Sequence, residues 1–202
     1  HDYGGTLCWL PNFAYNHCAR RIRRRDSEGL SAATMRLFIN CSEPVRHDSH
    51  QLFLERFAEI GVRPEMLAVS YAMAENTFAV TQTSPGIPAR LDVIDSDDLD
   101  QRGYAKPAPS DSPRARVLVS CGPTIPGTEA RVVDDAGQPV ADRAVGQIAI
   151  RSNCLMTGYY RRPDLQPFDA DGWFHTGDMG YVADGEVYVV GRRKDLIINA
   201  GK

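Results

Sequence analysis

The sequence predicts an α/β fold in two parts: a portion of a parallel αβ sheet, then a small antiparallel β-barrel or twisted sheet. Three observations carry this. Short apolar runs at 6–10, 35–39 and 67–71 alternate with stretches of helical period, and strand–helix–strand order implies parallel pairing through helical crossovers. From Arg116 onward, short runs at regular spacing, separated by turn signals, replace the helical ones. Between these halves, residues 85–113 change character and become rich in proline and aspartate.

The elements follow in order. The run 6–10 reads as a buried strand. Pro11-Asn12 opens a helix whose apolar stripe is Ala14, Cys18 and Ile22, four residues apart. Arg20, Arg21, Arg23, Arg24 and Arg25 crowd its end, where cations favour the helix macrodipole. The run 35–39 is a second strand, followed by the turn Asn40-Cys41-Ser42-Glu43-Pro44, in which Pro44 biases Glu43 toward an extended backbone. Residues 47–60 form a helix with Leu52, Leu54, Phe57, Ala58 and Ile60 inward, stopped by Gly61. His47 and His50 are read as two surface histidines, since no third ligand lies near them. The third strand, 67–71, runs into Tyr71-Ala72-Met73-Ala74-Glu75. In the 85–113 stretch Ser96 is the expected cap of one short helix that Gly103 ends. Later strands surround 117–119, 130–133 and 147–150, and Asp184-Gly185 marks a type I′ hairpin before Val187 and Val189. Leu196 to Ile198 is a last apolar strand.

Composition narrows the function classes. The 202 residues carry a formal net charge of −3 and 43% hydrophobic residues. No global field draws the chain to nucleic acid, and no apolar run spans a bilayer. The five cysteines are scattered and form no C-x-x-C pair, which fits reduced core residues in a cytoplasmic protein. An arginine-driven nucleic-acid binder stays open as a rival only through Arg20 to Arg25, and no aromatics interleave with them.

The chemistry concentrates toward the end of the chain. Thr176-Gly177-Asp178 places a carboxylate after a glycine, suited to a ligand cis-diol, and Arg192 in Gly191-Arg192-Arg193-Lys194 can reach the same sugar or its phosphate. With the Asn40 and Tyr71 motifs in the same order, the chain resembles the adenylate-forming enzymes: acyl-CoA synthetases, fatty-acyl-AMP ligases, luciferases and peptide-synthetase adenylation domains. The resemblance runs over nearly the whole chain. It implies ATP-dependent activation of a carboxylic acid as acyl-AMP, with ATP/AMP and magnesium as cofactors.

By that resemblance Ser42, Glu43 and Pro44 lie along adenine, Tyr71 and Met73 join them, Asp178 takes the ribose diol and Arg192 the ribose or phosphate. Glu75 holds magnesium, and Lys194 is the hinge to a further domain. Pro11-Asn12-Phe13-Ala14-Tyr15 resembles the acyl-pocket segment of fatty-acyl-AMP ligases, so Asn12 and Phe13 are pocket candidates; ordinary packing is the equal alternative. The match departs from the family where Ala72 replaces glycine and Ala74 lacks a hydroxyl. The 85–113 excursion reads either as an insertion of the fatty-acyl-AMP ligase type or as an interdomain linker. Fatty acid is the expected substrate, with an acyl carrier protein as acceptor, coenzyme A as the alternative, and a non-catalytic nucleotide-binding scaffold as the rival outside enzymes. The resemblance divides the chain at 1–84, 85–115, 116–190 and 191–202. It also implies a fragment of the large domain that cannot complete adenylation alone, because no Gly/Ser/Thr-rich phosphate loop and no family C-terminal lysine segment occur in it.

Overall fold

A computed structural model describes residues 2–193. Lys194 and the run Leu196 to Ile198 lie outside the described residues. The first half is a four-stranded sheet of order β1(Leu7–Leu10), β2(Leu37–Asn40), β3(Leu67–Ala72) and β4(Ala79–Gln82). β1–β2 and β2–β3 are parallel, as the strand–helix–strand order requires, and β4 returns antiparallel. Helices α1(Asn12–Arg21) and α3(His47–Phe57) make the crossovers, with the short α2(Arg24–Ser27) between them.

Three local expectations are corrected here. β1 is an edge strand, not a buried one, with Leu7 and Trp9 both exposed. The buried stripe of α1 is Asn12, Tyr15 and Ala19, while Cys18 and Ile22 flank it. On α3 the inward residues are Ser49, His50, Phe53 and Phe57; Ala58 is exposed. Phe53 was the missing centre: its ring meets Tyr15 at 4.9 Å, Phe38 at 5.3 Å and Phe57 at 4.6 Å. Edge-on aromatic pairs of this kind add about 0.5–1.5 kcal/mol each beyond area burial. Gly61, in the left-handed region at φ 94°, ends the helical segment as expected.

The second half is an open four-stranded antiparallel sheet of order β10(Glu186–Arg192), β9(Phe174–Ala183), β8(Gly146–Ser152) and β7(Thr128–Val133). No closed barrel forms among the described residues. The Asp184-Gly185 turn has both residues left-handed, φ 52° and 77°, which is the type I′ geometry. Residues 85–115 hold ordered structure: β5(Leu91–Asp95) pairs with β6(Ala115–Val119), and α4(Ser96–Arg102) packs Leu99 with Ile94, Tyr181 and Tyr188. Asp95, not Ser96, caps α4, accepting from the amides of Asp97 and Asp98.

The two sheets share one core of Val69, Tyr71 and Val80 with Val119, Cys121, Ile148, Phe174 and Val187. Residues 120–125 stitch them. Cys121 N–H donates to Val187 O, Ile125 N–H donates to Val80 O, and Thr81 Oγ1 donates to Cys121 O at 2.6 Å. Gly122 makes this possible: a Cβ there would lie 2.2 Å from the Gln82 carbonyl carbon.

His50, expected at the surface, is 6% exposed and sits against the Tyr15 ring at 5.2 Å. Burial, and secondarily His47, pushes its pKa down to about 4. The folded state therefore refuses a proton that the unfolded chain takes up below about 6.5. The stability is full above that value and falls as pH drops toward 4, by on the order of 3 kcal/mol if the whole shift is expressed. Chemical denaturation between pH 7 and 4.5 is expected to show wild type losing more stability than His50→Gln; parallel pH curves for the two would refute it.

Candidate nucleotide site

The cleft where the two sheets meet is built from three strands and the loop that follows a fourth. β2 delivers the loop Ser42-Glu43-Pro44, β3 delivers Tyr71, β9 delivers Asp178, and β10 delivers Gly191 and Arg192. Ligands of open α/β sheets sit beyond the carboxyl ends of strands, and the β2 and β3 contributions obey that rule. Six of the sequence-predicted residues thus line one cleft: Ser42, Glu43, Pro44, Tyr71, Asp178 and Arg192. Val45, Ser70, Leu118, Val119, Cys121 and Val189 line it too and were not anticipated. The last four follow from how β6, the segment after it and β10 pack against the first sheet, which the sequence alone does not show.

Asp178 does not stand at a strand end. It lies inside the ten-residue β9, at a bulge. The register against β8 passes from Gln147↔Met179 to Ala149↔His175, so β9 carries extra residues there. Gly177 takes φ 78° and lets the strand turn its next side chain. Thr176 anchors the distortion: its Oγ1 donates to Ile148 O at 2.8 Å and accepts the Asp178 N–H at 3.1 Å.

The carboxylate so placed is 8% exposed. Its Oδ2 accepts the Tyr71 hydroxyl at 2.6 Å, and its Oδ1 accepts Arg192 Nε at 3.0 Å across the β9–β10 pair. Burial first, then the Asp178 charge and bond, push the Tyr71 phenol far up, so it remains a proton donor at any physiological pH. An ionised carboxylate offers roughly four lone-pair positions. Two are engaged here, which leaves acceptor capacity for a pair of neighbouring hydroxyls.

The other candidates sit apart. Met73 packs against the shared core and does not line the cleft. Glu75 lies in a short 3-10 turn, half-buried, with Tyr159 OH 3.4 Å from its Oε1. Phe13 is 63% exposed, while its N–H donates to Glu43 Oε1 at 2.5 Å. Asn12 is buried and hydrogen-bonded to Ser49, Asn40 and the Arg46 backbone.

With this geometry in place, the family comparison is decisive. The model of the AMP-binding enzyme family matches residues 1–160. The chain belongs to that family. Among relatives, a long-chain-fatty-acid–AMP ligase of Mycolicibacterium smegmatis is 31% identical over 100% of this chain and 35% of its own length. A medium-chain-fatty-acid ligase of Moorena producens, named for transfer to acyl carrier protein, is 30% identical over 95% of the chain and 34% of its own. A solved structure from work on the fatty acyl-adenylate ligases of E. coli and L. pneumophila is 33% identical with a TM-score of 0.94, covering 99% of this chain and 36% of that one. The L. pneumophila ligase in complex with acyl adenylate and pyrophosphate is 34% identical with a TM-score of 0.90, covering 98% and 36%. The chain therefore spans about a third of the length of these family members.

The bulge gives a direct test of the geometry. Gly177→Ala meets no neighbouring atom but must hold a left-handed backbone, at a cost of about 1–2 kcal/mol. The variant is expected to unfold at correspondingly lower urea concentration with an unchanged m-value; stability equal to wild type would mean that the left-handed turn is not needed.

Proposed function

We propose that this chain supplies the adenosine-binding face of a ligase that activates a fatty acid as acyl-AMP and passes the acyl group to an acyl carrier protein. The observation that carries the reading is the Tyr71–Asp178–Arg192 chain of hydrogen bonds, facing the Ser42-Glu43-Pro44 loop across one cleft. In this reading the loop and the Tyr71 ring hold adenine, Asp178 accepts the ribose 2′- and 3′-hydroxyls, and Arg192 adds a charged contact to ribose or phosphate. Arg192 suits a solvent-side role, because its side chain is 71% exposed and, among the described residues, bonds through Nε to Asp178.

The reaction joins a carboxylate to the α-phosphate of ATP and releases pyrophosphate. Both reactants are anions, so their approach needs positive charge and fixed positioning. Magnesium would neutralise triphosphate charge when bound. The residues present fit such an ion: Glu75 offers one hard carboxylate oxygen at the rim of β3, no group of three or more ligating side chains occurs among the described residues, and magnesium is commonly held by one or two carboxylates plus substrate phosphates. Met73 supports the β3 end from the core side. In this reading Phe13 meets the acyl chain; its exposure beside Glu43 supports that role. Lys194 as a hinge, the division at 84, 115 and 190, and a cytoplasmic setting belong to the same reading. Five free cysteines, one of them exposed, and no helix among the described residues long and apolar enough to cross a membrane accord with that setting.

The carrier-protein acceptor is supported by the Moorena relative's name. Titration of AMP into the chain tests the core of the reading. Asp178→Ala removes both diol acceptors and is expected to weaken AMP about 10- to 100-fold. Wild type should bind 2′,3′-dideoxy-AMP about as weakly as the variant binds AMP. Equal AMP affinity in wild type and Asp178→Ala, or no measurable binding by wild type, would remove the reading.

A further inference from the structure

We propose that Asn12 is a positioning residue: it clamps both ends of the loop 40–46 and so fixes the register in which that loop reads the nucleotide base. The proposal rests on reading the cleft as a nucleotide site. Asn12 is the first residue of α1 and is 6% exposed. Its Oδ1 accepts two hydrogen bonds, one from each end of the loop: Asn40 Nδ2 at 3.2 Å and the Arg46 backbone N–H at 3.0 Å. Its Nδ2 donates to Ser49 Oγ on α3 at 3.0 Å.

The polarity of this network is determined. A backbone N–H can only donate, so the Asn12 oxygen must face Arg46. Asn40 must then present its amide nitrogen to Asn12, and the same nitrogen lies 3.1 Å from His50 Nε2. The imidazole Nε2 is therefore an acceptor, and the ring is neutral with its proton on Nδ1. Three helical and strand elements are joined at one buried side chain.

Between its pinned ends the loop is held against its own preference. Ser42 sits at φ 73°, a left-handed conformation that an L-residue keeps only under constraint from its surroundings. A third tie lies at mid-loop. Helix α1 has Pro11 at its N-cap and no side-chain cap of its own. The Glu43 carboxylate supplies one, accepting the Phe13 N–H where the helix end carries partial positive charge. The first turn of α1 thus holds the loop at its start, middle and end, and Ser42, Glu43 and Pro44 face the cleft from this frame.

The test compares Asn12→Ala, Asn12→Asp and Asp178→Ala by titration with AMP and inosine monophosphate, with amide hydrogen exchange alongside. Asn12→Ala is expected to weaken AMP about tenfold, to bring the AMP-to-inosine-monophosphate affinity ratio toward one, and to speed exchange at the Arg46 amide. Asn12→Asp keeps an oxygen for both loop donors, and Ser49 can turn its hydroxyl to donate to the other oxygen. It should hold the wild-type ratio. Asp178→Ala should weaken both nucleotides alike and leave the ratio unchanged. If Asn12→Ala does not fold, Ser49→Ala replaces it, removing the acceptor that the Asn12 and Asn16 Nδ2 groups share, with a smaller change in the same direction. An unchanged ratio and unchanged Arg46 protection in the Asn12→Ala or Ser49→Ala variant would overturn the proposal, as would a wild-type ratio of one. Should wild type bind no nucleotide, the nucleotide reading falls, and the Arg46 exchange rate still decides whether Asn12 clamps the loop.

Discussion

A single hydrogen bond, from the Tyr71 hydroxyl to Asp178, joins residues 107 positions apart and spans the two sheets. A carboxylate that is almost wholly withdrawn from water is costly unless its lone pairs find partners. The phenol and the Arg192 guanidinium meet that demand, and a hydrogen bond to an ionised acceptor is worth about 1.5–3 kcal/mol. The demand runs both ways. The carboxylate holds the Tyr71 ring at the end of β3, and the ring covers the cleft floor beside the Ser42 loop. Moving β9 by one residue would turn Asp178 to the other face of its sheet and leave the phenol unpaired.

The same trio of side chains occurs a second time. Asp92 on β5 accepts Tyr181 OH at 2.8 Å and Arg143 Nη1 at 2.9 Å, and it too is 8% exposed. Both bonds converge on Oδ2, and Tyr181 lies flat against Tyr188 with ring centroids 4.8 Å apart. This trio ties the β5 layer to the second sheet. The chemistry of tyrosine, aspartate and arginine therefore does not by itself make a site. What distinguishes Asp178 is that its partners divide between the two carboxylate oxygens and that it borders a cleft.

Much of this was legible in the residues. The parallel order of β1, β2 and β3, the type I′ turn at Asp184-Gly185 and the stops at Gly61 and Gly103 follow from local sequence, because each rests on period or on a left-handed backbone. The gathering of Ser42, Glu43, Pro44, Tyr71, Asp178 and Arg192 at one cleft was implied by the family resemblance that the motif order carries. What local sequence could not show is set by tertiary contact. His50 is polar and reads as surface, yet its ring is enclosed by Tyr15 and bonded to Asn40. Asp95 caps α4 because the chain enters from β5, while Ser96 is already helical. The stripe of α1 follows Tyr15, not Cys18, since the Phe53 ring decides which face is inward. Asn12, in sequence either a pocket candidate or a packing residue, has its amide bonded to the loop beside it and to Ser49.

The location of the cleft follows from how the two sheets are joined. The parallel sheet alone can offer the loop after β2 and the Tyr71 ring near the end of β3. Its own carboxylate there, Glu43, is engaged by the Phe13 N–H. The antiparallel sheet alone has the bulged β9 carboxylate and the β10 arginine. The 120–125 segment brings them together, and it can do so because Gly122 has no side chain where the backbone passes Gln82. A Cβ 2.2 Å from the Gln82 backbone must push it away by about 1 Å to reach ordinary contact, more than a 2.6 Å hydrogen bond tolerates. The cleft is therefore a property of the junction, and the residues that pack or thread the junction govern it as firmly as those that line it.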